Sequence, residues 1–137
     1  MACVRGRRPC AEENKIETDM RFPKRGDVYL VEFDPARGHE IQKTRPALVI
    51  QNNIGNQYSW VTIVAAITSK LSPKPYPVEV VVGPSKENGL SVPSAVQLGQ
   101  IRSVDRQRLV KHLGTIDAAT MRKIDRALKI SLGLVEF

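Results

Sequence analysis

The stretch Trp60–Thr68, WVTIVAAIT, is apolar, dense in β-branched side chains and followed at once by polar Ser69, which is the signature of a buried strand. Before it, Arg45–Gln51 (RPALVIQ) is apolar after its proline, and Asp27–Phe33 (DVYLVEF) alternates. After it, Pro77–Val82 (PVEVVV) and Ser94–Ile101 (SAVQLGQI) are bounded by Pro, Gly and Ser clusters of the kind that punctuate turns. Val110–Thr115 reads as a sixth strand. Short strands with no helix between them disfavour a parallel βαβ sheet and favour a compact antiparallel barrel. The period changes only at Asp117, an N-cap ahead of AATMRKIDRALKISLG, with Gly133 at the expected C-cap. The fold expected is mainly β (α+β): a small antiparallel barrel with a C-terminal helix.

On that helix Met121, Ile124, Leu128 and Leu132 share one face and are expected to cover the barrel, while Arg122, Arg126 and Lys129 cluster on another. Ile130 falls opposite the apolar stripe. With Leu134, Val135 and Phe137 it is a candidate for a subunit interface.

The chain of 137 residues, 42% apolar, is the length of one domain and has enough apolar material for one core. Residues 1–23 mix charges of both signs without a periodic apolar pattern and are expected to be a disordered extension, leaving 24–137 as the domain. No apolar run is long enough to span a bilayer, and the Arg-rich start is not followed by the apolar segment of a secretion signal. A soluble cytoplasmic protein without membrane contact is therefore expected. The two cysteines, Cys3 and Cys10, lie in the extension and are too few for a structural zinc site. A net charge of +7 favours a polyanionic partner, nucleic acid or an acidic protein segment.

Two polar, basic loops hold the chemistry-bearing residues: Asp34–Thr44 (DPARGHEIQKT), running into Arg45-Pro46, and Ser69–Tyr76 (SKLSPKPY). They adjoin consecutive strands, which are usually neighbours, so the loops are expected to meet. An arginine guanidinium is always charged and matches phosphate oxygens with a rigid fork. Pro46 fixes its own φ and biases Arg45 to an extended conformation, so this arginine stands at a stiff junction. Thr68 and Ser69 supply hydroxyls for a phosphate oxygen or a ribose. Lys43, Thr44, Lys70, Lys74 and Arg102 are candidates for flanking phosphates, and Tyr76, between two prolines, is a candidate for stacking on an unpaired base. His112, within the sixth strand, is assigned no role.

An ordered series of motifs then narrows the reading. Lys24-Arg25-Gly26-Asp27-Val28-Tyr29, Phe33-Asp34-Pro35, Gly38-His39-Glu40 and Arg45-Pro46-Ala47-Leu48-Val49-Ile50 are followed by Gln51-Asn52-Asn53-Ile54-Gly55-Asn56 and Ala66-Ile67-Thr68-Ser69. Gly89-Leu90, Gln100-Ile101-Arg102-Ser103-Val104-Asp105, Arg108-Leu109 and Gly114 complete it. In this order and spacing the chain, from Lys24 to its C-terminus, resembles the MazF/PemK ribonuclease toxins. The resemblance implies an SH3-like barrel with a C-terminal helix, a homodimer, and a sequence-selective endoribonuclease for single-stranded RNA inhibited by a cognate antitoxin.

Carried over by position, the resemblance puts the catalytic arginine at Arg45, the catalytic threonine at Thr68 and an acidic loop residue at Glu40. The implied reaction is attack of a 2′-OH on its own phosphate, giving 2′,3′-cyclic phosphate and 5′-OH ends, with no metal or other cofactor and hence resistance to EDTA. A base for the 2′-OH is still required; Glu40 and His39 are the available groups, His39 being otherwise an RNA contact. An antitoxin with an acidic, partly disordered segment is expected to compete with RNA for the basic groove. Two other readings stay open: a noncatalytic toxin of CcdB-like fold that binds a protein target, and an RNA-binding barrel without cleavage.

Overall fold

The computed structural model describes residues 22–33, 44–74 and 76–136. The 1–21 segment, the loop residues His39, Glu40 and Lys43, and Phe137 lie outside the described residues. Six strands, β1 (Asp27–Glu32), β2 (Thr44–Val49), β3 (Val61–Thr68), β4 (Glu79–Val82), β5 (Ser94–Asp105) and β6 (Leu109–Thr115), form one sheet in the order β4-β5-β3-β2-β1-β6. Every pairing is antiparallel. The helix expected at the C-terminus is α2 (Ala118–Ser131), and a short helix not anticipated from the sequence, α1 (Asn53–Tyr58), joins β2 to β3.

Alternation along the strands divides the apolar residues between the two faces. Val28, Leu48, Ile50, Ala65, Ile67, Val80, Val82, Val96 and Leu98 form the main core with Ile124 and Ala127 of α2. The opposite face holds a smaller cluster of Val31, Ala47, Val49, Val64 and Val104, flanked by Tyr29, Phe33 and Leu109. Full burial of a Leu or Val stabilises by about 1.5–3 kcal/mol, so the larger cluster is the main source of stability.

Asp117 caps α2 as expected: its carboxylate accepts from the Thr120 N–H at 3.0 Å and the Thr120 hydroxyl at 2.7 Å. These bonds hold its pKa below the ordinary carboxylate value. Gly133 follows with φ +75°, which a glycine adopts without strain. The expected apolar stripe needs correction at its end. The helix stops at Ser131, so Leu132 becomes the C-cap and is 54% exposed, while Ala127 takes a buried place in the core. Ile130 is half-buried instead of fully outward.

The two ends of the sheet are bridged by the connection from β4 to β5. Glu87 accepts a backbone bond from Thr115 of β6 at 2.7 Å, curling the β4 end toward β6. The approach is so close that a Cβ on Gly89 would sit 2.1 Å from the Leu113 carbonyl oxygen, and one on Gly114 would sit 2.2 Å from that of Glu87. Both glycines belong to the ordered motif series, and this contact is the physical reason for them. Arg25 serves similarly as a tie: it donates to the Ile50 carbonyl at 2.8 Å and pairs with Asp125 of α2 at 2.7 Å.

β5 runs to Asp105, four residues beyond the Ile101 end expected from sequence, and it does so through a bulge. Ala65 opposes Ile101 but Ala66 opposes Gln97, leaving Leu98, Gly99 and Gln100 outside the β3 ladder. The backbone polar groups of Leu98 are satisfied elsewhere: its N–H donates to Val78 at 2.8 Å and its carbonyl accepts from the Ser131 hydroxyl at 2.7 Å.

Candidate RNA-cleaving site

β2 and β3 are neighbours, and their register pairs Val49 with Val64, Leu48 with Ala65 and Ala47 with Ala66. Carried two residues further, the same register places Arg45 opposite Thr68. Both alternate with residues of the smaller cluster, Ala47 and Val49 on β2 and Val64 on β3, so both stand on the face turned away from α2. Directly opposed residues have Cβ atoms about 4.5–5.5 Å apart, within reach of one phosphate. On its other side Arg45 opposes Val31 of β1, which is fully buried and gives the arginine a rigid apolar neighbour.

The guanidinium of Arg45 is exposed, and among the described residues no carboxylate pairs with it. Its charge is therefore available to an anion. The Thr68 hydroxyl oxygen accepts a hydrogen bond from the Lys70 N–H at 3.1 Å. This turn fixes the oxygen and leaves the hydroxyl hydrogen to donate outward.

Other expected contacts are distributed unevenly. Arg102 opposes Val64 on the same face and lies over the Phe33 ring, its Cζ 5.3 Å from the centroid, a cation–π contact that restrains the side chain. Ser69, Lys70, Lys74 and Tyr76 are exposed along the connection leaving β3. Thr44 opposes Glu32 and, by alternation, points to the face opposite Arg45, so the sheet does not bring it into the row with Thr68.

Two side chains absent from the sequence reading join this face. Gln97 opposes Ala66, and Glu79 opposes Gln97, which extends the row across β5 to the β4 edge. The signal for them is the polar residue that interrupts each of two otherwise apolar strands, Glu79 in EVVV and Gln97 in SAVQL, but their common row depends on register.

At the far end of the sheet a second basic and aromatic group forms around Tyr29. His112 stacks edge-on against it at 5.1 Å and lies 3.5 Å from Asp27, while Arg106 lies over Trp60 at 5.8 Å. Burial, then the Asp27 charge, raises the pKa of Tyr29, and burial lowers that of Arg106. A concavity of about 250 Å³ lined by Arg25, Asp125, Leu128, Lys129, Leu132 and Leu134 lies on the helix side, away from Arg45. No helix among the described residues is long and apolar enough to cross a membrane.

Comparison with known proteins identifies the family and agrees with the fold. Residues 24–132 match the family described as PemK-like, MazF-like toxin of type II toxin-antitoxin system. The chain is 44% identical over 114 residues to endoribonuclease EndoA of Bacillus subtilis (strain 168), covering 83% of this chain and 97% of that protein. It superposes with a TM-score of 0.70 on a chain of the MazE-MazF structure from Deinococcus radiodurans, at 28% identity, covering 83% of this chain and 98% of the other. A mycobacterial endoribonuclease solved in complex with its cognate antitoxin gives a TM-score of 0.66 at 28% identity, covering 84% and 99% of the two chains.

Proposed function

The chain belongs to the PemK-like, MazF-like toxin family of type II toxin-antitoxin systems, as an endoribonuclease, and on that premise we propose that it cuts single-stranded RNA at Arg45 and Thr68 without a metal. The observation that supports this reading is the β2–β3 register, which, continued two residues past the Ala47–Ala66 pair, brings Arg45 opposite Thr68 on the face turned away from α2. A phosphate seated between them receives the guanidinium fork on two oxygens and the Thr68 hydroxyl on one. Charge growing on those oxygens, as the neighbouring 2′-OH attacks, meets donors already in place.

The bond formed joins O2′ to phosphorus and the bond broken releases O5′, leaving a 2′,3′-cyclic phosphate and a 5′-OH. The 2′-OH proton goes to a base on the loop that leads into Arg45, where Glu40 and His39 have suitable chemistry; the leaving oxygen takes a proton from Arg45 or from water. Lys70, Lys74 and Arg102 hold flanking phosphates through point charges and one ring-braced guanidinium. Ser69 contacts the same strand where the chain leaves β3, and Lys43 supplies a further positive charge from the loop before Arg45.

The toxin works in the cytoplasm and is neutralised by a cognate antitoxin whose acidic, partly disordered segment takes the place of RNA on the basic face. It acts as a homodimer, and the exposed Leu132, Leu134 and Val135 at the end of α2 supply apolar surface for contact between copies. Incubation of the purified protein with a long single-stranded RNA, with and without EDTA, and mapping of the ends tests the reading. Cleavage that survives EDTA and ends in cyclic phosphate is expected. Intact RNA, or cutting abolished by the chelator, refutes it.

A further inference from the structure

The row that begins at Arg45 and Thr68 does not end there. Ala66 is half-buried and Ala95, which opposes Thr68, is buried, so the sheet next to the proposed phosphate seat has a low floor of small side chains. Beyond this floor stand Gln97 and Glu79, paired across β5 and β4 and both half-buried. Gln97 is the diagonal cross-strand neighbour of Thr68, about 7–8 Å away. Glu79 is one strand further, a displacement of about 5 Å. These offsets match one nucleotide step and the width of a base.

Neither the Gln97 amide nor the Glu79 carboxylate has a hydrogen-bond or ion-pair partner among the described residues. Both groups can therefore bond to a ligand without breaking a bond to another described residue. Tyr76 adds the third element. It is 64% exposed, and its carbonyl accepts the Glu79 N–H at 2.9 Å, so its backbone is held in the turn that opens β4, three residues before the carboxylate.

We propose that Gln97 and Glu79, with Tyr76 as a stacking surface, form a base-reading subsite that selects an amino-bearing base, adenine or cytosine, beside the scissile phosphate. The inference rests on the cleavage reading above and assigns part of its sequence selectivity. An ionised carboxylate only accepts hydrogen bonds, and a glutamine amide both accepts and donates. Together they complement an exocyclic amino group: glutamine matches the amino and ring nitrogen of adenine, and a carboxylate matches the amino group of cytosine. Uracil presents a carbonyl where the amino group stands, so oxygen faces oxygen.

The test uses the full-length toxin and short RNAs that carry each of the four bases at every position within two nucleotides of the cut. At one such position the wild type is expected to cleave adenine or cytosine about tenfold faster than uracil, and Gln97→Leu or Glu79→Gln to remove most of that preference. Both variants should retain dependence on Arg45 and unchanged melting temperatures. A base profile that is the same in wild type and both variants, with Arg45→Ala still inactive, overturns the subsite and leaves the cleavage reading intact. Failure of the wild type to cut any RNA, or cutting unaffected by Arg45→Ala, overturns both.

Discussion

The two faces of this sheet are made from alternate residues of the same strands, yet they have separate tasks. Leu48, Ala65, Ile67, Val96 and Leu98 pack under α2. One residue along in each strand, the other face has an apolar centre at Ala47, Val49 and Val64 and a polar margin of Arg45, Thr68, Gln97 and Arg102. A strand thus keeps stability and chemistry apart by pleat alone, at a spacing of one residue. Substitutions on the polar margin are accordingly expected to change cleavage with little effect on folding, and those in the packed interior to do the reverse.

The largest break in that division is expected from Arg45→Ala. Loss of the fixed charge on the phosphate lowers the cleavage rate by about a thousandfold, while the melting temperature stays at the wild-type value because the guanidinium packs no core. A single-turnover assay beside a thermal melt reads both quantities; a cooperative loss of stability would place Arg45 among the structural residues instead. Gly89→Ala tests the opposite side. With φ at +73° and the Leu113 carbonyl in the way, a Cβ there costs about 3 kcal/mol of unfolding free energy in chemical denaturation. Activity per folded molecule should be unchanged, since the contact lies between the β4–β5 connection and β6.

Thr68→Val keeps the shape and removes the hydroxyl. Its cleavage rate should drop about thirtyfold, the loss of one hydrogen bond to a charged group, with KM for RNA little altered. A rate equal to wild type would reduce Thr68 to a strand-end residue capped by Lys70. The smallest effect belongs to Asp117→Ala, which removes the α2 cap and lowers the melting temperature at neutral pH. The Thr120 hydroxyl and N–H depress the folded-state pKa of this carboxylate. Its contribution is therefore complete above the ordinary carboxylate pKa of about 4 and is lost as pH falls through the depressed folded value. Wild type and variant melts should converge in strong acid; a constant gap at every pH would remove the ionised cap from the explanation.

The strands were legible because alternation and β-branching are local properties, and α2 because its cap, period and terminal glycine are also local. The short helix α1 was not. NIGNQY has no apolar period, and the helix is held by Asn52, whose side chain accepts from the Gly55 N–H at 2.7 Å, and by buried Asn56. Asn56 in turn accepts from the Thr62 hydroxyl at 2.6 Å and from the Gln51 amide at 2.9 Å. A polar anchor that completes itself only across two elements leaves no periodic trace. Leu132 was misplaced for a related reason: periodicity continues past the residue where the backbone leaves the helix.

The candidate site divides in the same way. That Arg45 stands at a stiff junction next to a neighbouring strand follows from Pro46 and chain order. That Arg45 faces Thr68, and that Gln97 and Glu79 continue the row, follows from register, which composition does not specify. Glu40 remains an assignment from motif position, and His39 and Lys43 remain assignments from side-chain chemistry on the loop before Arg45.

The slip in β5 carries a consequence for how this chain can change over generations. Three residues, Leu98, Gly99 and Gln100, lie between the partners of Ala66 and Ala65, and an odd number reverses the phase of alternation. Gln97 and Arg102 reach the same face only because of that reversal. A single-residue deletion among the three that kept both partners in register would leave Gln97 and Arg102 four residues apart, so plain alternation would hold them on the same face; a two-residue deletion would leave a one-residue bulge that reverses the phase as the present one does. Length variation in descendants of this sequence should therefore accumulate at Gly99 and Gln100, which neither pair with β3 nor pack in the main core.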